Sequence, residues 1–202
     1  MRPLLPTLRC TLLSLHRTLL RVQNACEYVD QSAALSRVEK MVILLEDQRF
    51  LNHVGVDGRS IIREAWKAVT GQRHGGASTI DMQFFRTASR RYERTGRRKL
   101  REAFGALIMQ KRYTKVQILR GYLEIAYFGT GLRGVSEATL ALYPGRNPED
   151  LSWEQAAMVA ALLVYPKPRL ININWSTKVR RRADYGLALY ARRKKQLDQI
   201  SI

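Results

Sequence analysis

The sequence has few groups that could cross-link it and few acidic residues. Its only cysteines, Cys10 and Cys26, are sixteen residues apart on one predicted helix, which excludes a disulfide scaffold and a cysteine-based zinc site. Lys and Arg number 35 against 17 Asp and Glu, so the formal charge is +18. This excess predicts a polyanionic partner: nucleic acid, anionic lipid headgroups or a phosphorylated substrate.

The N-terminal segment lacks an uncharged apolar run long enough for a membrane span, which takes about 20 residues, or for a signal peptide. Four basic or titratable residues interrupt it: Arg9, His16, Arg17 and Arg21. Apolar residues recur there at steps of three and four: Leu8, Leu12, Leu15, Leu19 and Val22. Two interpretations stay open, a helix docked on the rest of the protein and an interfacial helix lying on anionic lipid.

Strand patterns are missing as well, since no run of alternating polarity and no repeat occurs in the 202 residues. Helical spacing and capping signals predict helices at 60–69, 97–112, 116–126, 156–164 and 177–195. The helices at 116 and 156 follow the capping boxes Thr114 to Gln117 and Ser152 to Gln155. The sequence therefore predicts an all-α protein, with an N-terminal basic helix in residues 1–34 and one domain in residues 35–202.

Basic residues concentrate in two segments. The first is Arg86, Arg90, Arg91, Arg94, Arg97, Arg98, Lys99 and Arg101; the second is Lys178, Arg180, Arg181 and Arg182. A solvated helix face explains such runs as well as a binding surface does. No zinc-finger spacing, RNP-like strand or heptad zipper accompanies them, so nothing specific supports nucleic-acid recognition.

Two carboxylates stand in distinctive surroundings. Glu46 follows the apolar run 41–45, where partial loss of hydration suits a carboxylate to proton transfer. Glu102 lies inside the first basic segment, where its neighbours hold it ionised. Between them, the small-residue turn at 75–80 would let a ligand approach the backbone. Two carboxylates in different settings are what sugar-transfer chemistry uses.

These residues form an ordered set of motifs. Residues 46–57 read EDQRFLNHVGVD, residues 76–83 GASTIDMQ, residues 98–102 RKLRE and residues 115–123 KVQILRGYL. Each resembles a motif of the peptidoglycan glycosyltransferases of family 51, and the order is that of the family. Segments 127–134 and 154–157 continue the resemblance, which covers residues 35–190.

The resemblance implies a lysozyme-like helical fold in which a large lobe and a small mobile lobe enclose a cleft. It also implies polymerisation of lipid II, with inverting transfer of a polyprenyl-pyrophosphoryl glycan onto the 4-hydroxyl of the acceptor GlcNAc. Glu46 would be the general base, and Glu102 would orient the pyrophosphate-binding cations or assist a divalent metal. The pyrophosphate-binding candidates are Arg86, Arg98, Lys99 and Arg133. The cleft-lining candidates are Asp47, Phe50, His53, Ser78, Thr79 and Gln83.

The sequence departs from the family pattern at Asp81, Met82, Arg120 and Glu124, and in segment 143–146, YPGR, which keeps a cation but lacks the usual aromatic residue. If Asp81 faces the cleft, its charge should weaken phosphate binding. Because Glu46 and Glu102 are both present, we expect an active enzyme. The alternative within the family is a weakly active or inactive relative that binds lipid II or acts as a scaffold.

The implied partners are lipid II, the lipid-linked glycan, a membrane surface and other cell-wall synthesis proteins, but not nucleic acid. No cofactor is obligatory, although Mg²⁺ or Mn²⁺ is compatible with the chemistry. Without a penicillin-binding domain in the sequence, we expect a monofunctional transferase with no transpeptidase activity. We expect it at the outer face of the cytoplasmic membrane because the family's substrate is there. A basic nucleic-acid or membrane-surface module is the alternative outside the family, and the motif order argues against it.

Overall fold

The computed structural model describes residues 4–27, 29–70, 78–93 and 95–198. Outside these residues lie the first part of the turn predicted at 75–80, residues 75–77, and also Arg94 of the first basic segment. The α-helices are α1 (Leu4–Glu27), α2 (Arg37–Glu46), α3 (Gly58–Val69), α4 (Ile80–Ser89), α5 (Gly96–Gln110), α6 (Lys115–Ile125), α7 (Val135–Leu142), α8 (Trp153–Ala161) and α9 (Ile173–Asp198). Single 3₁₀ turns occupy Phe50–Asn52 and Pro148–Asp150, and two short strands, β1 (Tyr127–Gly129) and β2 (Leu132–Arg133), pair with each other. The predicted all-α class is confirmed.

Short polar side chains set where the helices begin. Capping boxes open α6 at Thr114 and α8 at Ser152, as predicted, and a third opens α2 at Ser36. In each box the hydroxyl accepts from the amide of the third helical residue, whose own side chain accepts from the backbone N–H of the cap. Asp57 and Thr79 cap α3 and α4 in the simpler way, by one side-chain acceptor.

Some predicted boundaries were wrong by several residues. Helix α8 ends at Ala161 rather than 164, because the amides of residues 162–164 bond three residues back and tighten the chain into turns. Helix α9 begins at Ile173, four residues before the predicted start. The strands were not predicted, since stretches of three and two residues are too short to show alternation.

Helix α4 lies at the centre of the packing, against α1, α5 and α6. Its Phe84 and Phe85 are fully buried. Glycines on the neighbouring helices make room for both rings, because a Cβ on Gly105 of α5 would lie 2.3 Å from the Phe85 ring and one on Gly121 of α6 would lie 3.0 Å from the Phe84 ring. On the other side of the core, α8 packs along α2 and α9.

The apolar residues of α5 do not all face this core. Leu100 and Phe104 are 74% and 57% exposed, and Leu107 is 44% exposed, although their spacing is helical as predicted. Gly105 and Ala106 form the buried face instead, because α5 approaches α4 through its small residues. The exposed side of α5 therefore carries an apolar stripe.

Helix α1 packs against α4 and α6 through its C-terminal half. Val22 and Cys26 are buried there, and Leu15 and Leu19 are partly buried against the core, whereas Leu12 is 56% exposed. The Leu8 side chain lies outside the described residues. No helix in the described ranges combines the length and the apolarity that crossing a bilayer requires.

Candidate active site

Glu46 is the last residue of α2, and its carboxylate lies at the edge of a cavity of about 390 Å³. The amide nitrogen of Gln83, on α4, donates to Glu46 Oε2 at 3.1 Å. The Arg182 guanidinium, on α9, donates to Glu46 Oε1 at 3.2 Å. With 10% of its side chain exposed, Glu46 is partly buried and lies beside a cation. Such a carboxylate is able to accept a proton.

Further cations border the same cavity: Arg49, Arg63 and Arg193. Arg49 donates to Asp57 Oδ1 at 3.2 Å, and the Ser60 hydroxyl donates to Asp57 Oδ2 at 2.6 Å. Burial opposes ionisation of Asp57, but these hydrogen bonds and the charge of Arg49 hold its pKa below the usual value. Asp57 therefore stays an anion that fixes the wall formed by α3.

Gln83 is itself held in place by Tyr122 of α6. The Tyr122 hydroxyl donates to Gln83 Oε1 at 2.9 Å, which leaves the Gln83 amide nitrogen to donate to Glu46. Burial raises the pKa of Tyr122, so the phenol keeps the proton that it donates. Two successive hydrogen bonds, from Tyr122 to Gln83 and from Gln83 to Glu46, thus fix Oε2 of Glu46.

Glu102 lies on α5 and is 2% exposed. Its Oε1 accepts from Arg86 Nε at 3.0 Å and from an Arg98 guanidinium nitrogen, so two cations share one carboxylate oxygen. Arg86 also donates to the Ser78 hydroxyl at 3.3 Å. Since Gln83 and Arg86 are three residues apart on α4, they are neighbours on its surface and link the surroundings of Glu46 and Glu102.

The other predicted site residues are placed as follows. Ser78, Thr79 and Asp47 border the Glu46 cavity. Phe50, His53 and Gln83 do not border it, and Phe50 is 1% exposed while His53 has 4% of its side chain exposed. Lys99 is exposed on α5, three residues before Glu102.

Arg133 does not border the cavity around Glu46. It borders a different cavity, of about 620 Å³, together with Arg21, Arg90 and Tyr127. Thr87 of α4 also borders that cavity, one turn beyond Gln83. A role for Arg133 in binding the pyrophosphate stays a prediction.

Asp81, one of the family departures, does not face the cleft. It is fully buried, with Lys115 Nζ 3.1 Å from its Oδ2 and the Gln110 side-chain amide donating to its Oδ1. The condition for weakened phosphate binding is therefore not met. Arg120, another departure, forms an ion pair with buried Glu39 at 2.7 Å.

Within the part of the chain that the structure describes, neither the group of Asp47, His53 and Asp81 nor the surroundings of Glu102 fit a divalent metal. Asp47, His53 and Asp81 are close enough together to share a cation, but the Lys115 ammonium already contacts Asp81 and would repel one. Glu102 faces two guanidiniums in the same way. We therefore derive no step through a metal.

Sequence reasoning missed Arg182 as a partner of Glu46. It was visible only as one residue of a basic run, and 136 residues separate it from Glu46, so no local pattern could have joined them. Lys115 was recognised only as part of a motif, without a role. Tyr122 belongs to the same motif, and no function was predicted for it.

Comparison with known proteins agrees with this geometry. A family model described as Transglycosylase matches residues 14–190. The chain is 37% identical over 141 residues to penicillin-binding protein 2a of Streptococcus pneumoniae. The matched region is 69% of this chain and 19% of that protein. It is 34% identical over 142 residues to the biosynthetic peptidoglycan transglycosylase of Nitrosomonas eutropha (69% of this chain, 57% of that protein). It is also 34% identical over 157 residues to the protein of that name from Haemophilus influenzae (76% and 62%).

The chain thus spans about a fifth of the length of the penicillin-binding relative and about three fifths of the two transglycosylases. The matched region contains α2 to α8 and the cavity around Glu46. A model that matches residues 14–190 covers most of the 202 residues, and the chain therefore belongs to the transglycosylase family, whose fold is helical and lysozyme-like.

Proposed function

We propose that this protein is a peptidoglycan glycosyltransferase that polymerises lipid II into glycan strands. The observation that carries the proposal is the Glu46 carboxylate, partly buried at a cavity and held by Gln83 and Arg182, with Arg86 and Arg98 assembled on Glu102 nearby. The name biosynthetic peptidoglycan transglycosylase, carried by the relatives from Nitrosomonas eutropha and Haemophilus influenzae, supports the choice of substrate.

In the proposed reaction Glu46 acts as general base. It takes the proton from the 4-hydroxyl of the acceptor GlcNAc as that oxygen attacks the anomeric carbon of the donor MurNAc. The bond from this carbon to the pyrophosphate oxygen breaks, the configuration inverts, and polyprenyl pyrophosphate leaves with the bonding electrons. Arg182 and Gln83 each donate to one oxygen of Glu46 and so direct its carboxylate.

The leaving pyrophosphate gains negative charge, which needs cations that are already in position. We assign this role to Arg86, Arg98 and Lys99. Glu102 binds Arg86 and Arg98 through one oxygen, which fixes both guanidiniums while leaving other N–H groups to donate to phosphate. Glu102 thereby acts through the cations.

We propose that the protein works at a membrane surface, on the outer face of the cytoplasmic membrane, because a polyprenyl substrate has to be reached there. The exposed apolar stripe Leu100, Phe104 and Leu107 on α5 supports such a contact. Residues 1–34 would also contact the membrane surface, since α1 exposes Leu12, Leu13 and Leu20 beside its arginines while its C-terminal half stays packed on α4 and α6. The excess of basic residues suits anionic headgroups.

The test is incubation of the purified protein with labelled lipid II in detergent, followed by separation of products by size. We expect polymer from the parent and at least about a 100-fold slower reaction from Glu46→Gln, because a general base contributes roughly 10²- to 10⁴-fold. Glu102→Gln should also be slower, since Arg86 and Arg98 lose their common anchor. Glu149→Gln, the same chemical change at an exposed residue, should match the parent.

Circular dichroism and urea unfolding establish that each variant is folded. Polymer from Glu46→Gln at the parent rate would refute the base assignment. A folded parent that binds lipid II without making polymer would instead identify a relative that has lost catalysis. Tight, salt-sensitive DNA binding unaffected by Glu46→Gln, with no lipid II binding, would favour the basic binding module.

A further inference from the structure

Three consecutive residues at the start of α4 hold the loop that follows Glu46. Thr79 donates its hydroxyl proton to the Gly55 carbonyl at 2.6 Å, and the Ile80 amide donates to Asp47 Oδ2 at 3.1 Å. Asp81, the third, reaches the loop through Lys115, whose Nζ lies 3.1 Å from Asp81 Oδ2. The loop that contains Asp47 is therefore fixed by one helical turn.

Lys115 occupies the space between Asp81 and the loop. Its ammonium lies 4.3 Å from the centre of the Phe50 ring, a cation–π contact, and 3.5 Å from His53 Nδ1. An ammonium has only protons to donate, so it bonds to His53 in the tautomer that leaves Nδ1 unprotonated. The other nitrogen, Nε2, then carries the proton and donates it to Asp47 Oδ2 at 2.8 Å.

This arrangement depends on a counter-charge, because the ammonium is largely buried. Burial lowers the pKa of Lys115, and the charge of Asp81 together with its hydrogen bond opposes that shift. Asp81 is held in turn by the Gln110 side chain at the end of α5. Without the Asp81 carboxylate, the ammonium would leave its position or lose its proton, because Asp81 is the carboxylate that it contacts and Asp47 Oδ2 already accepts from His53 and Ile80.

We infer that Asp81 is a positioning residue for the reaction: by holding the Lys115 ammonium against Phe50 and His53, it fixes the loop that follows Glu46 and thereby the direction of the Glu46 carboxylate. Resting on the proposed function, this inference adds a role for a position at which the chain departs from its family. Asp81 acts through Asp47, the residue next to Glu46. Asp47 caps the end of α2 and accepts a hydrogen bond from the start of α4.

The first measurement is independent of activity. Protein labelled with ¹³C at lysine Cε gives a resonance for Lys115, assigned as the one that is missing in Lys115→Arg. A group held over the face of Phe50 has its Hε protons shifted upfield by the ring current. We expect that upfield shift in the parent and in Asp184→Asn, which makes the same change at an exposed carboxylate of α9, and its loss in Asp81→Asn.

The second measurement is steady-state polymerisation of lipid II by the same proteins. Asp81→Asn should lower kcat by about 10- to 100-fold, because a base misplaced by about 1 Å can lose that much. KM should change less than twofold, since Asp81 is fully buried, does not border the cavity and touches no substrate. Asp184→Asn should keep the parent values.

The two measurements separate the inference from the proposed function. An upfield Lys115 shift that persists in Asp81→Asn would overturn the inference whatever the activity, and so would a lost shift with unchanged kcat. A lost shift in a protein whose parent makes no polymer would overturn the proposed function while the positioning of Lys115 by Asp81 stands. A rise in KM with unchanged kcat would also overturn the inference.

Discussion

The ion pair between Arg120 and Glu39 is expected to contribute strongly to stability. Glu39 is 6% exposed, and Arg120 donates to both of its oxygens, at 2.7 and 3.4 Å. Arg120 also donates to the carbonyl groups of Asp30, Ala33 and Ala34, so it joins α6 to the segment before α2. Replacing it with Met keeps most of its apolar length but leaves the Glu39 charge buried without its partner.

The size of the loss follows from that remaining charge. Removing one partner of a buried pair costs about 3–5 kcal/mol, because the other charge loses both water and its counter-ion. The freed carbonyl groups add little, since residues 30–34 are exposed and water can replace Arg120 there. With a urea dependence of about 2 kcal/mol per molar, the unfolding midpoint of Arg120→Met should fall by roughly 1.5–2.5 M.

The assay is urea unfolding followed by circular dichroism, with two further variants. Arg146→Met, at an exposed turn residue, should stay within about 0.5 kcal/mol of the parent. Arg120→Met combined with Glu39→Gln should recover part of the loss, because Gln is neutral and still able to accept from the Ser36 amide as Glu39 does. A loss below about 1 kcal/mol for Arg120→Met would refute the reasoning, since exposed pairs give such values.

Two further predictions concern the core. Gly105→Ala should lower the free energy of unfolding by about 1–3 kcal/mol, because its Cβ would lie 2.3 Å from the Phe85 ring, whereas Gly96→Ala on the same helix has open space and should be neutral or slightly stabilising in urea unfolding. Burial raises the pKa of Cys26 to about 12, so a thiol reagent at pH 8 should modify one cysteine per folded chain, the exposed Cys10, and two after denaturation. Equal unfolding midpoints for the two glycine variants, or two fast-reacting thiols in the folded protein, would contradict these expectations.

Local signals in the sequence predicted the helix starts well. The capping boxes at Thr114 and Ser152 are formed as predicted because every atom that they use lies within four consecutive residues. Helix ends were harder, since α8 gives way to tight turns at 162–164 with no glycine or proline to mark the change. The hairpin was not predicted because its strands are too short to show alternation, and part of its backbone bonding, from residue 167 to Phe128 and Thr130, comes from far along the chain.

The candidate site was predictable only in part. The motifs pointed to Glu46 and Glu102, but their partners come from elements whose register no local pattern fixes. Arg182 reaches Glu46 from α9, and a shift of α9 by a single residue would turn a different side chain toward it. Nor could the sequence say which cavity Arg133 borders, since the fold of the unpredicted hairpin decides where it lies.

The departures at Asp81, Met82, Arg120 and Glu124 do not contribute hydrogen-bond partners to the two carboxylates. Asp81 is paired with Lys115 and Arg120 with Glu39, so each introduced charge has an opposite charge within this chain. Met82 is 5% exposed and belongs to the core, and Glu124 is exposed.

None of these four residues donates to Glu46 or Glu102, whose partners are Gln83 and Arg182 in one case and Arg86 and Arg98 in the other. A carboxylate buried opposite a lysine changes how firmly a loop is held, whereas the chemistry depends on the groups that face the substrate. The departures therefore bear on stability and on positioning, and for Asp81 the two effects are separable because only positioning changes kcat in a protein that is still folded.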